Sequence, residues 1–224
     1  MAQQTLPENL KSALVQDRAR AVALNRDSVS RETWARLDGL VALVLEKQQG
    51  VNLVAASTVP QLWTRHVADS LQLLALAPAA RTWVDLGSGA GFPGLVIACA
   101  LTDTPGAAVH LVDSTRKKAA FLDHAAVALK LPVVVHAERI EDFAAANRIS
   151  FDAVTARAVA PLNKLLGYAI PLLKRGAIGL FHKGQDIEAE LTEASKYWTI
   201  EAELIPSKTD PRGRIVLVRH ARKR

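Results

Sequence analysis

The sequence predicts an open α/β sheet, mostly parallel and doubly wound by helices, behind a helical N-terminal extension. Three observations carry this. From residue 82 onward, apolar stretches of five to seven residues alternate with helical periodicity, the pattern of a parallel sheet. A glycine-rich loop joins the first of those stretches to the helix after it. Before residue 80 the apolar spacing is helical throughout. The expected division is an N-terminal helical segment over 1–80, packing on the core, and a ligand-binding domain over 81–224.

Each element has its own reason. Leu10, Leu14, Val15, Ala21, Val22 and Leu24 lie among charges over 8–24, a weakly amphipathic helix. Ser30 can cap a second helix, with Glu32 in its first turn. Trp34, Leu37, Leu40, Val41, Val44 and Leu45 follow at helical spacing, and Gly50 stops it. A third helix begins near Pro60, carries Trp63, His66, Val67, Leu71 and Leu74, and ends before Pro78. Strands read at 82–86, 107–113, 131–137, 151–157 and 177–183, with helices at 93–101, 115–130, 140–146, 161–173 and 186–196. Strands near 198–205 and 214–219 follow each other without a helix, which predicts at least one antiparallel edge strand.

Composition narrows the function classes. Half the residues are hydrophobic, enough for a sizeable core and too many for a disordered chain. Lys and Arg number 28 against 22 Asp and Glu, a net +6. That suits a polyanionic partner, and it equally suits a soluble protein that is simply basic. The single cysteine, Cys99, excludes an intramolecular disulfide and a cysteine-cluster metal site, so no metal is expected. No apolar run reaches bilayer length and the N-terminus lacks a signal core, so the expected compartment is cytoplasmic and the default state a monomer.

The strongest local signal is VDLGSGAGFPG at 84–94. Small residues let the backbone turn tightly and let a ligand approach it, and Pro93 suits the first turn of a helix. Gly87, Gly89 and Gly91, preceded by Asp85, give the G-x-G-x-G of class I methyltransferases; Gly89, Gly91 and Gly94 give the G-x-G-x-x-G of dinucleotide-binding folds. Roughly twenty residues further on, the separation a βαβ unit requires, Asp113 ends the next strand, where a carboxylate can accept from both ribose hydroxyls. A turn or helix cap is the plainer reading of Asp113 alone. Together they favour a bound nucleoside. A pyrophosphate would sit on the helix N-terminus as an anion, whereas S-adenosylmethionine brings a sulfonium and an amino-acid tail, for which Asp85 is tolerable or helpful. The register with Gly87 directly after the strand favours the methyl donor.

Several blocks in order give a sharper identity: VNL near Asn52, RHVADS (65–70), VDLGSGAGFPG, LVDS (111–114), ERIEDF (138–143), ARAVAPLNKLL (156–166) and HKG (182–184). They span roughly residues 35 to 185, most of a domain of ordinary size, and the chain resembles the small-subunit ribosomal RNA (16S) guanine-N7 methyltransferase G family, also called glucose-inhibited division protein B. The resemblance implies a Rossmann-like class I fold and methyl transfer from S-adenosylmethionine to N7 of a guanine in 16S rRNA or the small subunit. It places the cofactor on Gly87, Gly89 and Phe92, with Asp113 on the ribose and Ile140 and Glu141 beside the adenine. Arg157 falls next to the methionine end or the incoming base, and Lys183, like the His66/Asp69 pair, around the pocket mouth. Arg157 and Lys183 are thus the candidates for the reaction itself. Ala156 stands where the family often has serine, and the segment before Ser30 is less recognisable.

The residues also limit the chemistry. N7 of guanine is a neutral nucleophile with an exposed lone pair, so alignment with the methyl group suffices and no general base is assigned. No Asn-Pro-Pro-Tyr-like motif follows the fourth strand, which argues against transfer to an exocyclic amine. Cytosine-C5 transfer needs a cysteine nucleophile, and Cys99 reads as a core thiol. Plainer readings stand beside the other candidates: a local hydrogen-bonded pair for His66 and Asp69, an ion pair for Arg157, and solvation for Lys183 and for Arg116, Lys117 and Lys118. The basic tail from Arg219 to Arg224 is either an RNA contact or free, and the four tryptophans read as core. The alternatives to an rRNA enzyme are a methyltransferase for another RNA or a small molecule, a nicotinamide oxidoreductase, and a non-catalytic RNA-binding module.

Overall fold

The computed structural model describes residues 6–26, 29–48 and 50–224. Seven strands, β1 (Thr82–Leu86), β2 (Ala108–Val112), β3 (Val133–His136), β4 (Ala153–Arg157), β5 (Ile178–Lys183), β6 (Trp198–Pro206) and β7 (Arg214–Lys223), form one sheet in the order β3-β2-β1-β4-β5-β7-β6. The first five are parallel, and β7 runs antiparallel to β5 and to β6. The order switches between β1 and β4, where the C-terminal ends of a parallel sheet open a ligand crevice.

The edge strand β6 is paired antiparallel, as the sequence predicts, and the strand that runs against the rest of the sheet is its neighbour β7. β7 inserts between β5 and the edge strand β6. The reason is burial: Ile215, Val216, Leu217 and Val218 are all buried, which a strand covered on both faces requires, while no residue of β6 is more than half-buried. The basic tail belongs to the same hairpin. Arg222 pairs with Thr199, His220 with Glu201, and the Arg224 amide donates to Tyr197.

Alternation along the strands divides the core. Trp83, Val109, Leu111, Leu180 and Leu217 face α2 (Arg31–Lys47), α3 (Asp69–Leu76), α4 (Gly94–Leu101) and α5 (Arg116–Ala128). Val84, Val154, Phe181, Val216 and Val218 face α6 (Ile140–Ala146), α7 (Leu162–Leu173) and α8 (Ile187–Ala194). Ser30 caps α2, its Oγ accepting from the Thr33 amide at 3.2 Å. Cys99 is fully buried and its thiol is pushed up to about 12 by burial, which leaves it un-ionised core. Trp63 and Trp83 are core; Trp34 and Trp198 are half-buried.

The third helix is less regular than its sequence suggests. A tight 3₁₀ turn over Ala56–Gln61 precedes a wide π-helical segment, Trp63–Ala68, which runs directly into α3. Its N-terminus is capped from outside. The buried Asp17 of α1 (Glu8–Leu24) accepts from the Trp63 and Thr64 amides at 2.8 and 3.1 Å and from Thr64 Oγ1 at 2.6 Å. A carboxylate there meets both the orphan donors and the helix dipole. The π-helical segment carries Arg65 and His66, and Asp69 opens α3 directly after it; segments of this kind are frequent at functional sites. Asp17→Ala strands all three donors in the core and is expected to cost about 2 kcal/mol. Scanning calorimetry should show a melting temperature roughly 4–8 °C lower; an unchanged one would make the cap dispensable.

Candidate active site

β1 ends at Leu86 and the chain turns through Gly87, Gly89 and Gly91 at φ +70°, +56° and +88°. The glycines serve different ends. A Cβ on Gly91 would lie 2.3 Å from Leu95 Cδ1, so that position is closed by packing. A Cβ on Gly89 would meet nothing nearer than the Gly87 carbonyl at 3.8 Å, so there the backbone is open to a ligand. Asp85 lies beneath the loop, fully buried. Its carboxylate accepts from Thr155 Oγ1 at 2.8 Å and from the Gly94 amide at 3.2 Å, tying β1, β4 and α4 together. Burial pushes its pKa up to about 6, against the pull of Thr155, Ser88, Gly94 and the Arg157 charge.

Asp113 braces the same loop from β2. Oδ2 accepts from the Gly89 amide and Oδ1 from the Thr115 amide, both at 2.8 Å. The plainer turn reading is thus realised, with lone pairs left over for hydroxyl donors. Ile140 opens α6 close by: a Cβ on Gly87 would lie 3.7 Å from Ile140 Cδ1. Glu141 is exposed in the first turn of α6, its carboxyl held low by its own backbone amide, with Tyr168, Arg139 and Lys164 adding to the effect. Asp113, Ile140 and Glu141 do not line the main cavity; they flank the glycine loop on the β2–β3 side.

That cavity measures about 940 Å³. Gly87, Gly89, Phe92, Arg157 and Lys183 all line it, so the sequence candidates converge from β1, β4 and β5. Segment 53–69 forms one wall and the β6–β7 turn, 207–213, another. Arg157 is half-buried at the end of β4. Its Nη1 donates to the Arg65 carbonyl at 3.1 Å, its Nη2 to His66 Nδ1, and its guanidinium lies 5.7 Å from the Phe92 ring centroid. Among the described residues Arg157 makes no ion pair by contact, although Asp69 and Asp85 are near enough to favour its charge against burial.

His66 and Asp69 are not partners of each other, as their spacing suggested. His66 bonds to Thr58 and Arg157. Asp69 Oδ1 accepts from Gln72 Nε2 at 2.7 Å, Ser207 Oγ at 3.1 Å and Thr209 Oγ1 at 2.8 Å, clasping the β6–β7 turn to the helix. Lys183 is not solvated. Its Nζ donates to the Ala160 carbonyl at 2.6 Å and to Glu190 Oε2 at 2.7 Å, and the same oxygen accepts from the Leu162 amide at the start of α7. This fixes the 158–161 loop, in which Ala158 holds φ +55°. Glu190→Ala leaves Lys183 half-paired and that amide open; the expected loss is about 1–2 kcal/mol, read by chemical denaturation. An unchanged midpoint would show the clamp to be idle.

Thr58, Glu190 and the Ser207/Thr209 turn escaped sequence reasoning. Only the polar run SKTDPRG at 207–213 carried a signal, as a turn too rich in hydrogen-bonding groups to be a mere connector.

A sheet of this order with β7 reversed, an open glycine loop after β1 and an acid after β2 define a class I S-adenosylmethionine-dependent methyltransferase. Solved structures share the fold. An O-methyltransferase of tomaymycin synthesis from Streptomyces achromogenes, in complex with S-adenosylmethionine, has a TM-score of 0.59 at 14% identity, covering 92% of this chain and 97% of that one. The magnesium protoporphyrin IX methyltransferase of Synechocystis, also with the donor bound, has a TM-score of 0.54 at 15% identity, covering 81% and 97%. Within that class the chain belongs to the rRNA small subunit methyltransferase G family, whose family model matches residues 34–215. A ribosomal RNA small subunit methyltransferase G from a Bradyrhizobium strain is 58% identical over 90% of each chain. One from Rhodopseudomonas palustris is 51% identical over 99% of this chain and 94% of that one. The resemblance read from the motif blocks is borne out.

Proposed function

We propose that this chain transfers the methyl group of S-adenosylmethionine to N7 of a guanine in small-subunit (16S) ribosomal RNA. The family match over residues 34–215, lying on a cavity floored by an open glycine loop, carries the reading. The donor supplies a methyl group on a sulfonium. In this reading the Gly87 and Gly89 backbone and Phe92 hold its methionine end, Asp113 takes the ribose hydroxyls, and Ile140 and Glu141 flank the adenine. Arg157 faces the incoming base. Lys183 works through the 158–161 loop, because its ammonium is already engaged. Residues 81–224 then form the donor-binding domain, and the helical segment over 1–80 supplies the outer wall.

N7 attacks as a neutral lone pair, so the chain's task is to orient the base, and no residue need accept a proton. Arg65, Arg212, Arg214 and Lys118 add positive charge around the cavity, which suits a phosphate backbone. In this reading the acting unit is a monomer. Among the described residues no helix is long and apolar enough to cross a membrane, and the substrate places the reaction in the cytoplasm. The test is transfer from labelled donor to small subunits lacking the modification, with the product nucleoside identified by mass. One 7-methylguanosine site supports the reading. Donor binding without transfer to subunits or free RNA overturns the substrate assignment and leaves the fold standing.

A further inference from the structure

Arg157, at the end of β4, is held from the 53–69 wall in an unusual way. His66 is 7% exposed and both its ring nitrogens are engaged, Nε2 with Thr58 Oγ1 at 3.1 Å and Nδ1 with Arg157 Nη2. A guanidinium has no lone pair to offer, so Nδ1 accepts, and the ring proton sits on Nε2 and is donated to Thr58. Burial, with the charges of Arg157 and Arg65, pushes the imidazole down to about 3, which keeps that tautomer at any working pH. The His66 and Arg157 groups both lie against Phe92, the ring centroids of His66 and Phe92 being 5.0 Å apart. The π-helical winding of Trp63–Ala68 presents the second anchor, the Arg65 carbonyl. Of the five guanidinium N–H groups, two are thereby tied to one rigid segment and three remain on a half-buried side chain that lines the cavity.

We propose that His66 is a positioning residue for base choice: by accepting from Arg157 it aims the remaining guanidinium donors at a carbonyl oxygen of the target base. The proposal rests on the function inferred above. Guanine presents O6 beside N7, where adenine presents an amino group. A donor held at that point pairs with guanine and faces another donor in adenine, which leaves both unpaired, the kind of mismatch that discriminates strongly. The contact the reaction requires is one-pronged, to O6 alone, not the two-pronged grip on O6 and N7 that arginine commonly makes. That grip would cover the lone pair which must attack. The base is held by O6 and its N7 stays open.

Three variants test this on the full-length protein, with small subunits carrying guanine or adenine at the target position. His66→Phe keeps a ring against Phe92 and loses both nitrogens; His66→Asn restores an acceptor near Nδ1. The expected result is a fall of about 10- to 100-fold in kcat/KM for H66F, mostly in kcat, with the donor Kd unchanged and the guanine-over-adenine ratio reduced. H66N should recover most of the loss. Thr58→Val, which removes the partner of Nε2, should shift both quantities in the same direction by less, and it carries the test if H66F does not fold. Unchanged kcat/KM, a loss that H66N does not restore, or a loss lying in donor affinity overturns the proposal; the last would put Arg157 on the donor's carboxylate. Failure of the unmodified protein to make 7-methylguanosine is separately visible in the control and counts against the proposed function instead.

Discussion

Asp113→Ala is expected to weaken donor binding by two orders of magnitude or more. In the reading above the carboxylate takes both ribose hydroxyls, and charge-assisted hydrogen bonds of that kind contribute about 1.5–3 kcal/mol each. Two of them correspond to a factor of at least about 100 in Kd. The same side chain holds the Gly89 amide at 2.8 Å, so its removal also frees the open part of the glycine loop. Asp113→Asn separates the two effects in part, since its one oxygen can keep the Gly89 amide while the Thr115 amide loses its acceptor. It keeps the shape and one acceptor, and should lose about tenfold through charge and the second hydroxyl. Calorimetric titration of each variant with S-adenosylmethionine or its demethylated product reads the affinities, and a thermal melt checks the fold. An unchanged affinity for Asp113→Ala at an intact melt would remove the ribose role and leave Asp113 as a brace between β2 and the loop.

What was legible beforehand is short-ranged. The glycine loop and Asp113 announce themselves because a βαβ unit places its ligand contacts at fixed spacing along one stretch of chain. The five parallel strands show for the same reason, each being a compact apolar run. The devices that shape the cavity lack such spacing. Asp17 caps a helix that begins 46 residues later, and Asp69 binds Ser207 across 138 residues. Neither pairing has a local pattern, since an isolated carboxylate on an amphipathic helix reads as a solvated charge. His66 and Asp69 failed differently. Their spacing of three suits a local pair on a regular helix, but the π-helical turn sends them to different partners. The position of β7 depended on comparing two strands, and only the unbroken apolar run of Ile215–Val218 could have given it away.

The buried histidines make the second large prediction, a fold that loses stability on mild acidification. Burial holds His66 at about 3 and His110 at about 4; for His66 the charges of Arg157 and Arg65 assist, for His110 its neighbour His136. His136 and His182 are likewise lowered by burial. Above the ordinary 6.5, folded and unfolded chains carry these rings neutral and stability is unaffected. Below it the unfolded chain takes up protons that the folded chain refuses, so unfolding is favoured by about 1.4 kcal/mol per pH unit for each such ring. At pH 4.5 His66 and His110 together cost roughly 5 kcal/mol on that scale. Asp85 acts in the opposite sense. Held at about 6 in the fold against an ordinary 3.8, it takes up a proton on folding between those values and returns about 2 kcal/mol. The net loss of about 3 kcal/mol should lower the melting temperature by roughly 10 °C between pH 7 and 4.5. Calorimetry over that range decides it: a flat profile, or a maximum near pH 5, would mean that the rings are protonated in the fold. Asp85→Asn removes the opposing carboxylate, so in that variant the decline below pH 6 should become steeper.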